Sequence, residues 1–191
     1  MSAERLRCQN DLSLFNALLE QRDVKRVNEH LAKQAEEGPT GIRRQLLATS
    51  VRLTRGMAPD VYQMLDEPVE KLDIKIPIEL YVYSSPQFNA ACVKPEDGRL
   101  FIMFSSSLLE AFKGSELKFV IGHELGHHLY NHHDIPIGYI LRGKSRPNPK
   151  LALELFALRL FQDYHRSKKD LIFLQRFQSV LFSALQALQN E

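Results

Sequence analysis

The chain has 191 residues, 44% of them hydrophobic and 25% charged, which is enough apolar material for one globular body with a sizeable core. A net charge of +2, from 25 basic and 23 acidic residues, argues against a nucleic-acid partner; the one short basic run is His165-Arg166-Ser167-Lys168-Lys169. Cys8 and Cys92, with no C-x-x-C, argue against a disulfide framework or a thiolate zinc site. The start, Met1 to Arg7, carries charge with no apolar run behind it, and no stretch approaches the ~18 apolar residues of a membrane span. The expectation is a soluble, cytoplasmic protein without a transmembrane segment.

Residues 10–37 read as helical, with Leu12, Phe15, Leu18, Leu19, Val24, Val27 and Leu31 at helical spacing, until Gly38-Pro39-Thr40-Gly41 stops the pattern. A second helix is predicted over Ile42 to Arg55, with Leu46, Leu47 and Val51 facing inward. A third begins at Met57-Ala58-Pro59-Asp60 and runs to Leu65 or slightly beyond. Ile74 to Tyr83 alternates and is rich in β-branched and aromatic residues, so it reads as a strand, with Pro77 pointing to an edge position or a start near Ile78. Phe88 to Val93 and Arg99 to Phe104 are two more strands, joined through the turn signal Asp97-Gly98. Ser105-Ser106-Ser107 caps a helix through Phe112, and Ser115-Glu116-Leu117-Lys118 opens another that closes at Asp134-Ile135-Pro136. After an irregular connection over 134–149, helices are expected from Lys150 to about Arg166 and from Asp170 to Gln189. Helices, a small sheet, then helices again argue for an α+β fold.

The most informative segment is His123-Glu124-Leu125-Gly126-His127, an H-E-x-x-H sequence inside a helical run. Positions four apart lie on one helix face, so His123 and His127 can hold a single zinc ion. Glu124 then lies beside the zinc-activated water as general base. Gly126 either lets the helix pack closely beneath the metal or serves core packing. A catalytic zinc asks for a third protein ligand. His133 has the right spacing for a sharply broken helix, yet Tyr130 stands where that break needs glycine. His128 and His132 occupy the wrong angular positions, which suits surface or supporting roles. Glu154, a carboxylate within the apolar stretch Leu151 to Leu158, is the chosen third ligand; its ordinary alternative is an exposed position paired with Lys150 or Arg159. Asp163 and then His165 follow as candidates.

The segment from Asn89 to His132 resembles a family of H-E-x-x-H gluzincin zinc metallopeptidases that includes the CAAX-prenyl endopeptidases, HtpX-like proteases and many soluble bacterial enzymes. Phe88-Asn89-Ala90, the strand Gly98 to Phe104, the helix Ser107 to Phe112 and the run Glu116 to His127 carry the resemblance, with a histidine following at His132. It implies a mostly helical, zincin-like α+β domain spanning 1–191. Within it, 1–65 would be a helical extension, 74–166 the catalytic core and 170–189 a closing helix. It also implies a metalloendopeptidase with one zinc per chain, held by His123, His127 and Glu154. The substrate would be a peptide or unfolded protein, laid as an added strand along Leu100 to Phe104. The family pattern E-x-x-A-D-R becomes Glu154-Leu155-Phe156-Ala157-Leu158-Arg159 here, with leucine for aspartate. The alternative is therefore a catalytically impaired or truncated relative acting as a binding or chaperone-like module. Whether the N-terminal helices cover the cleft as an autoinhibitory segment is an open question at this point: removing residues 1–55 should raise activity if they do, and leave it unchanged or lost if they do not.

Overall fold

The computed structural model describes residues 9–36, 41–142 and 148–163; His165, the helix end near Arg166 and the helix expected over 170–189 lie outside them. The chain divides into two compact units, one built on Lys33–His133 and the other on Ser2–Ala32 with Asp134–Glu191. The helical region at the start is two helices, α1 (Gln9–Leu19) and α2 (Arg22–Glu36).

Within the first unit, α3 (Ile42–Thr49) ends six residues before the expected Arg55. Ser50 turns extended, at φ −149° and ψ 166°, and its hydroxyl donates back to the Leu46 carbonyl. The chain then forms β1 (Val51–Leu53), whose backbone pairs antiparallel with a strand some thirty residues later. Non-local pairing outweighs helical propensity here, and it turns outward Val51, which the helical pattern placed inside. Leu46 is buried, whereas Leu47 is 50% and Val51 55% exposed. The third helix, α4 (Pro59–Lys71), is longer than expected and carries Pro68 within it.

The sheet takes the order β1-β2-β4-β3, with β2 (Ile78–Tyr83), β3 (Ala90–Glu96) and β4 (Arg99–Ser105). β2 and β4 run parallel, and the other neighbours are antiparallel. Pro77 stands just before β2, where it removes no ladder hydrogen bond. Asp97 and Gly98 both adopt positive φ, 50° and 67°, the conformation a two-residue hairpin asks for between right-twisted strands. Alternation sorts the side chains to two faces. Leu80, Leu100, Ile102 and Phe104 pack with Leu117, Val120, Ile121 and Leu125 of α6 (Gly114–Leu129), and with Leu108 of α5 (Ser106–Ala111). The opposite face sets Tyr81 and Phe101 against Leu46 of α3.

A carboxylate also sits on that opposite face. Glu79 is 7% exposed, and Arg43 Nε donates to its two oxygens at 3.2 and 3.0 Å while the Tyr81 hydroxyl donates at 2.7 Å. Arg99 and Arg52 approach at 3.5 and 3.6 Å. Burial by itself would raise the Glu79 pKa; hydrogen bonds from Arg43 and Tyr81, with the charges of Arg43 and Arg52, outweigh it and hold the group below its usual value. The same burial and the neighbouring carboxylate push the Tyr81 hydroxyl up to about 12.

In the second unit, α1 and the start of α2 pack with α7 (Ile137–Arg142) and α8 (Pro149–Asp163) around Phe15, Leu18, Val24, Ile135, Ile140, Leu151, Leu155 and Leu158. The connection expected to be irregular thus contains a short helix. Asn148 caps α8 by accepting from the Leu151 amide at 2.8 Å, and Pro149 follows at the first helical position, where a missing N–H costs nothing. Asn28 Nδ2 donates to the Asp134 carbonyl at 2.8 Å, a further tie between the two stretches of sequence that make this unit.

Candidate metal centre

The amphipathic needs of α6 explain how it presents its polar residues. Leu117, Val120, Ile121 and Leu125 are drawn into the core beneath the sheet, and His123 and His127 come out half-buried, one turn apart. Their rings stand nearly perpendicular, at 87° with centroids 4.7 Å apart, and the two Nε2 atoms converge to 3.1 Å. Two nitrogens bound to one tetrahedral zinc at about 2.0–2.1 Å stand roughly 3.3–3.4 Å apart, so this pair fits a shared ion with little adjustment. Glu124 completes the grouping: one donor atom from each of His123, Glu124 and His127 lies within 4.8 Å of the others.

Glu124 is 5% exposed, and its Oε2 accepts from the Cys92 backbone N–H at 2.9 Å. Cys92 lies on β3, which among the described residues pairs with β4 alone and so forms an edge of the sheet. This corrects the expected substrate strand. Leu100 to Phe104 belongs to β4, which is paired on both sides and has no free edge. The edge beside α6 is β3. Its entry is fixed by the buried Ser105, whose hydroxyl accepts from the Asn89 amide at 3.0 Å and from the Leu108 amide at 3.3 Å, the latter as the N-cap of α5. Burial first, and then the Glu124 charge, push the Cys92 thiol well above its ordinary range, so it remains protonated. Burial also lowers the pKa of His128.

α6 stops earlier than expected. Leu129 is its last residue, the Tyr130 and Asn131 amides close the end onto the Gly126 and His128 carbonyls, and Asn131 takes φ 54°. Asparagine tolerates that left-handed conformation and does here what glycine does elsewhere. The chain re-enters as a 3₁₀ turn, His132–Asp134, and His132 Nδ1 comes within 2.9 Å of His127 Nδ1. His133 is not part of the donor grouping. At Gly126 an added Cβ would meet, among the described residues, the Tyr130 ring at 4.0 Å, an ordinary contact distance.

Glu154 lies on α8 in the second unit. It is 8% exposed, among Leu151, Leu155, Ala157 and Leu158, each 2% exposed or less, so the exposed alternative does not hold. Burial raises its pKa, with the Lys150 charge opposing in part. Among the described residues, no hydrogen bond or ion pair holds its carboxyl. Asp163 closes α8. The carboxylate–amide contact at Cys92 and the His127–His132 contact are the features that sequence reasoning missed in detail. The first depends on strand packing, the second on a backbone reversal at a residue other than glycine.

Two histidines and a glutamate in H-E-x-x-H register on one helix are the signature of the zincin-like metallopeptidase families. The chain belongs to peptidase family M48, whose model matches residues 57–190. It is 37% identical over 81 residues to the plastoglobule-localized metallopeptidase 48, chloroplastic, of Arabidopsis thaliana. That alignment covers 42% of this chain and 23% of the relative, so the chain spans less than a quarter of that protein's length. No solved structure matches the chain.

Proposed function

We propose that the protein is a zinc-dependent metalloendopeptidase acting on peptides or unfolded protein. The observation that carries the reading is the convergence of His123 and His127 Nε2 at 3.1 Å beside the buried Glu124 carboxylate. His123 and His127 would hold one zinc ion, with Glu154 as third ligand. Support for Glu154 comes from its own state, a carboxyl buried in an apolar helix face with no partner among the described residues, which is costly unless a cation compensates. Zinc supplies Lewis acidity to such a site, polarising a carbonyl and acidifying water.

The chain's own residues do the rest. Glu124, one oxygen anchored on the Cys92 amide, presents the other to the attacking water, accepts its proton and returns it to the departing amine. Hydroxide adds to the scissile carbon as that proton leaves, and the C–N bond breaks as the proton arrives at nitrogen. β3 offers the extended edge along which a substrate backbone can lie. The competing reading, an impaired relative that binds polypeptide without cleaving it, is favoured by Leu158, fully buried where the resemblance expects aspartate.

Purified protein should carry close to one zinc per chain and cleave an unfolded protein such as casein. Zinc should be lost in His123→Ala and His127→Ala. Zinc uptake without cleavage would select the impaired reading, and no uptake would sink the metalloenzyme. No helix among the described residues is long and apolar enough to cross a membrane; a cytoplasmic location is part of the proposal and is tested by fractionating cells that express tagged protein.

A further inference from the structure

The imidazole of His127 is engaged at both nitrogens. Nε2 faces His123 Nε2 at 3.1 Å, and Nδ1 faces His132 Nδ1 at 2.9 Å. A neutral imidazole carries one proton, so one nitrogen donates and the other offers a lone pair. Metal ligation through Nε2 requires the lone pair there, which places the proton on Nδ1. His132 Nδ1, 2.9 Å away, accepts that proton when it is itself bare and His132 carries its own proton on the buried Nε2.

We infer that His132 is a positioning residue that selects the Nδ1–H tautomer of His127 and fixes its ring plane for metal binding. The inference rests on the reading of His123 and His127 as metal ligands. The two nitrogens of His127 point away from opposite sides of the ring, so His132 supports the ligand from behind. It is the Asn131 reversal, at φ 54°, that brings His132 back beneath the last turn of α6. The rings cross at 72° with centroids 5.0 Å apart, an edge-on approach that suits a nitrogen-to-nitrogen hydrogen bond rather than stacking. The partner of a metal-bound histidine is ordinarily a carboxylate, carbonyl or water. Here the imidazole of His132 fills that role.

The test is zinc affinity by competition with a chromophoric chelator, for the full chain and for His132→Asn, His132→Phe and His132→Ala. Asparagine can place an oxygen close to where Nδ1 stands and accept the same proton; phenylalanine keeps the ring and loses the acceptor. Phe and Ala should weaken zinc binding by about tenfold to a hundredfold, with Asn restoring most of the loss. Imidazole ¹⁵N spectra of wild type should show His127 protonated at Nδ1, and that preference should fade in His132→Phe. Thermal melts of the metal-free variants separate this from a folding defect. Wild-type zinc affinity in His132→Phe, or equal loss in Asn and Phe, would overturn the inference and leave the metalloenzyme standing. A wild-type chain that takes up no zinc would overturn both.

Discussion

Glu124 is a buried carboxylate with one oxygen tied to a backbone amide, and that tie holds for an isosteric amide only in part. Glu124→Gln keeps the acceptor for Cys92 N–H but loses the base. It should retain zinc and fold normally while peptide hydrolysis falls by about a hundredfold or more, measured by zinc content beside initial rates. Glu154 makes a different prediction, because burial raises its pKa in the folded chain. A carboxyl raised in this way favours folding most below its ordinary value of 4.5, and the contribution is lost as pH rises through the folded-state value. Glu154→Gln should therefore make the metal-free protein more stable than wild type at about pH 8 and nearly equal to it at about pH 4. The same variant should bind zinc more weakly. Urea titrations at the two pH values, with chelator competition alongside, check both halves; a variant that is less stable at about pH 8 would contradict the burial argument. His123, Glu124 and His127 were legible because helical spacing is a local property. His132 was legible as a surface or supporting residue, but not its contact with His127, which depends on the backbone sign at Asn131 that no spacing rule assigns to a residue other than glycine.

The elements around the site differ in how far they could be read. The β3–β4 hairpin follows from Asp97-Gly98, and α5 from its serine cap, both signals contained within four residues. β1 was hidden because its reason lies in the partner, Leu80 to Val82, and not in the three residues that form it. Glu79 was hidden for the same reason: a strand pattern says which face a residue takes, not that three arginines converge there from α3, β1 and the start of β4. Removing that carboxylate leaves the guanidinium groups facing one another against a closed apolar layer. Glu79→Ala should lower stability by about 2–4 kcal/mol, discounted towards the lower figure because the arginines are 42–47% exposed on their side chains. Zinc affinity should hardly change, since the network sits on the sheet face opposite α6. Denaturant unfolding read against zinc binding separates the two effects. Across α4 and α6, Glu67 is held down to about 2 by Lys118 first and Lys71 second. A depressed carboxylate stabilises above its unfolded value and loses that contribution as pH falls from 4.5 towards about 2, so weakening of this tie belongs to strongly acid solution alone.

At the scale of the molecule, the second unit is discontinuous: its core takes Phe15, Leu18 and Val24 from one end of the sequence and Ile135 to Leu158 from far along it. An N-terminal segment that acts as a detachable cover would have its apolar residues on a removable surface. Phe15, at 5% exposed, and Leu18 and Val24, at 0%, are instead structural to the helix that bears Glu154. The truncation that would relieve such inhibition, removal of 1–55, would also delete β1 and the buried Leu53. A cut after residue 32 tests the point more cleanly. Each of the three lost side chains contributes about 1.5–3 kcal/mol of burial. The shortened chain should bind less zinc and aggregate, as read by size-exclusion chromatography and metal analysis. A monodisperse product with higher peptidase activity would restore the autoinhibitory cover.

The discontinuity also sets a timetable for synthesis. α1 and α2 leave the ribosome before the rest of their unit: Ile135, Ile140 and the α8 leucines that cover Phe15, Leu18 and Val24 emerge more than a hundred residues later. At ordinary elongation rates that interval is on the order of ten seconds, far longer than helices or hairpins need to form. The sheet and α6, all earlier in the chain than α8, can fold while the amphipathic helical pair still lacks the residues that complete its core. A fragment ending at residue 133, free of the ribosome, should therefore be sensitive to protease within 9–36 and resistant across the sheet, and protection of the early helices should arrive only when α8 is included.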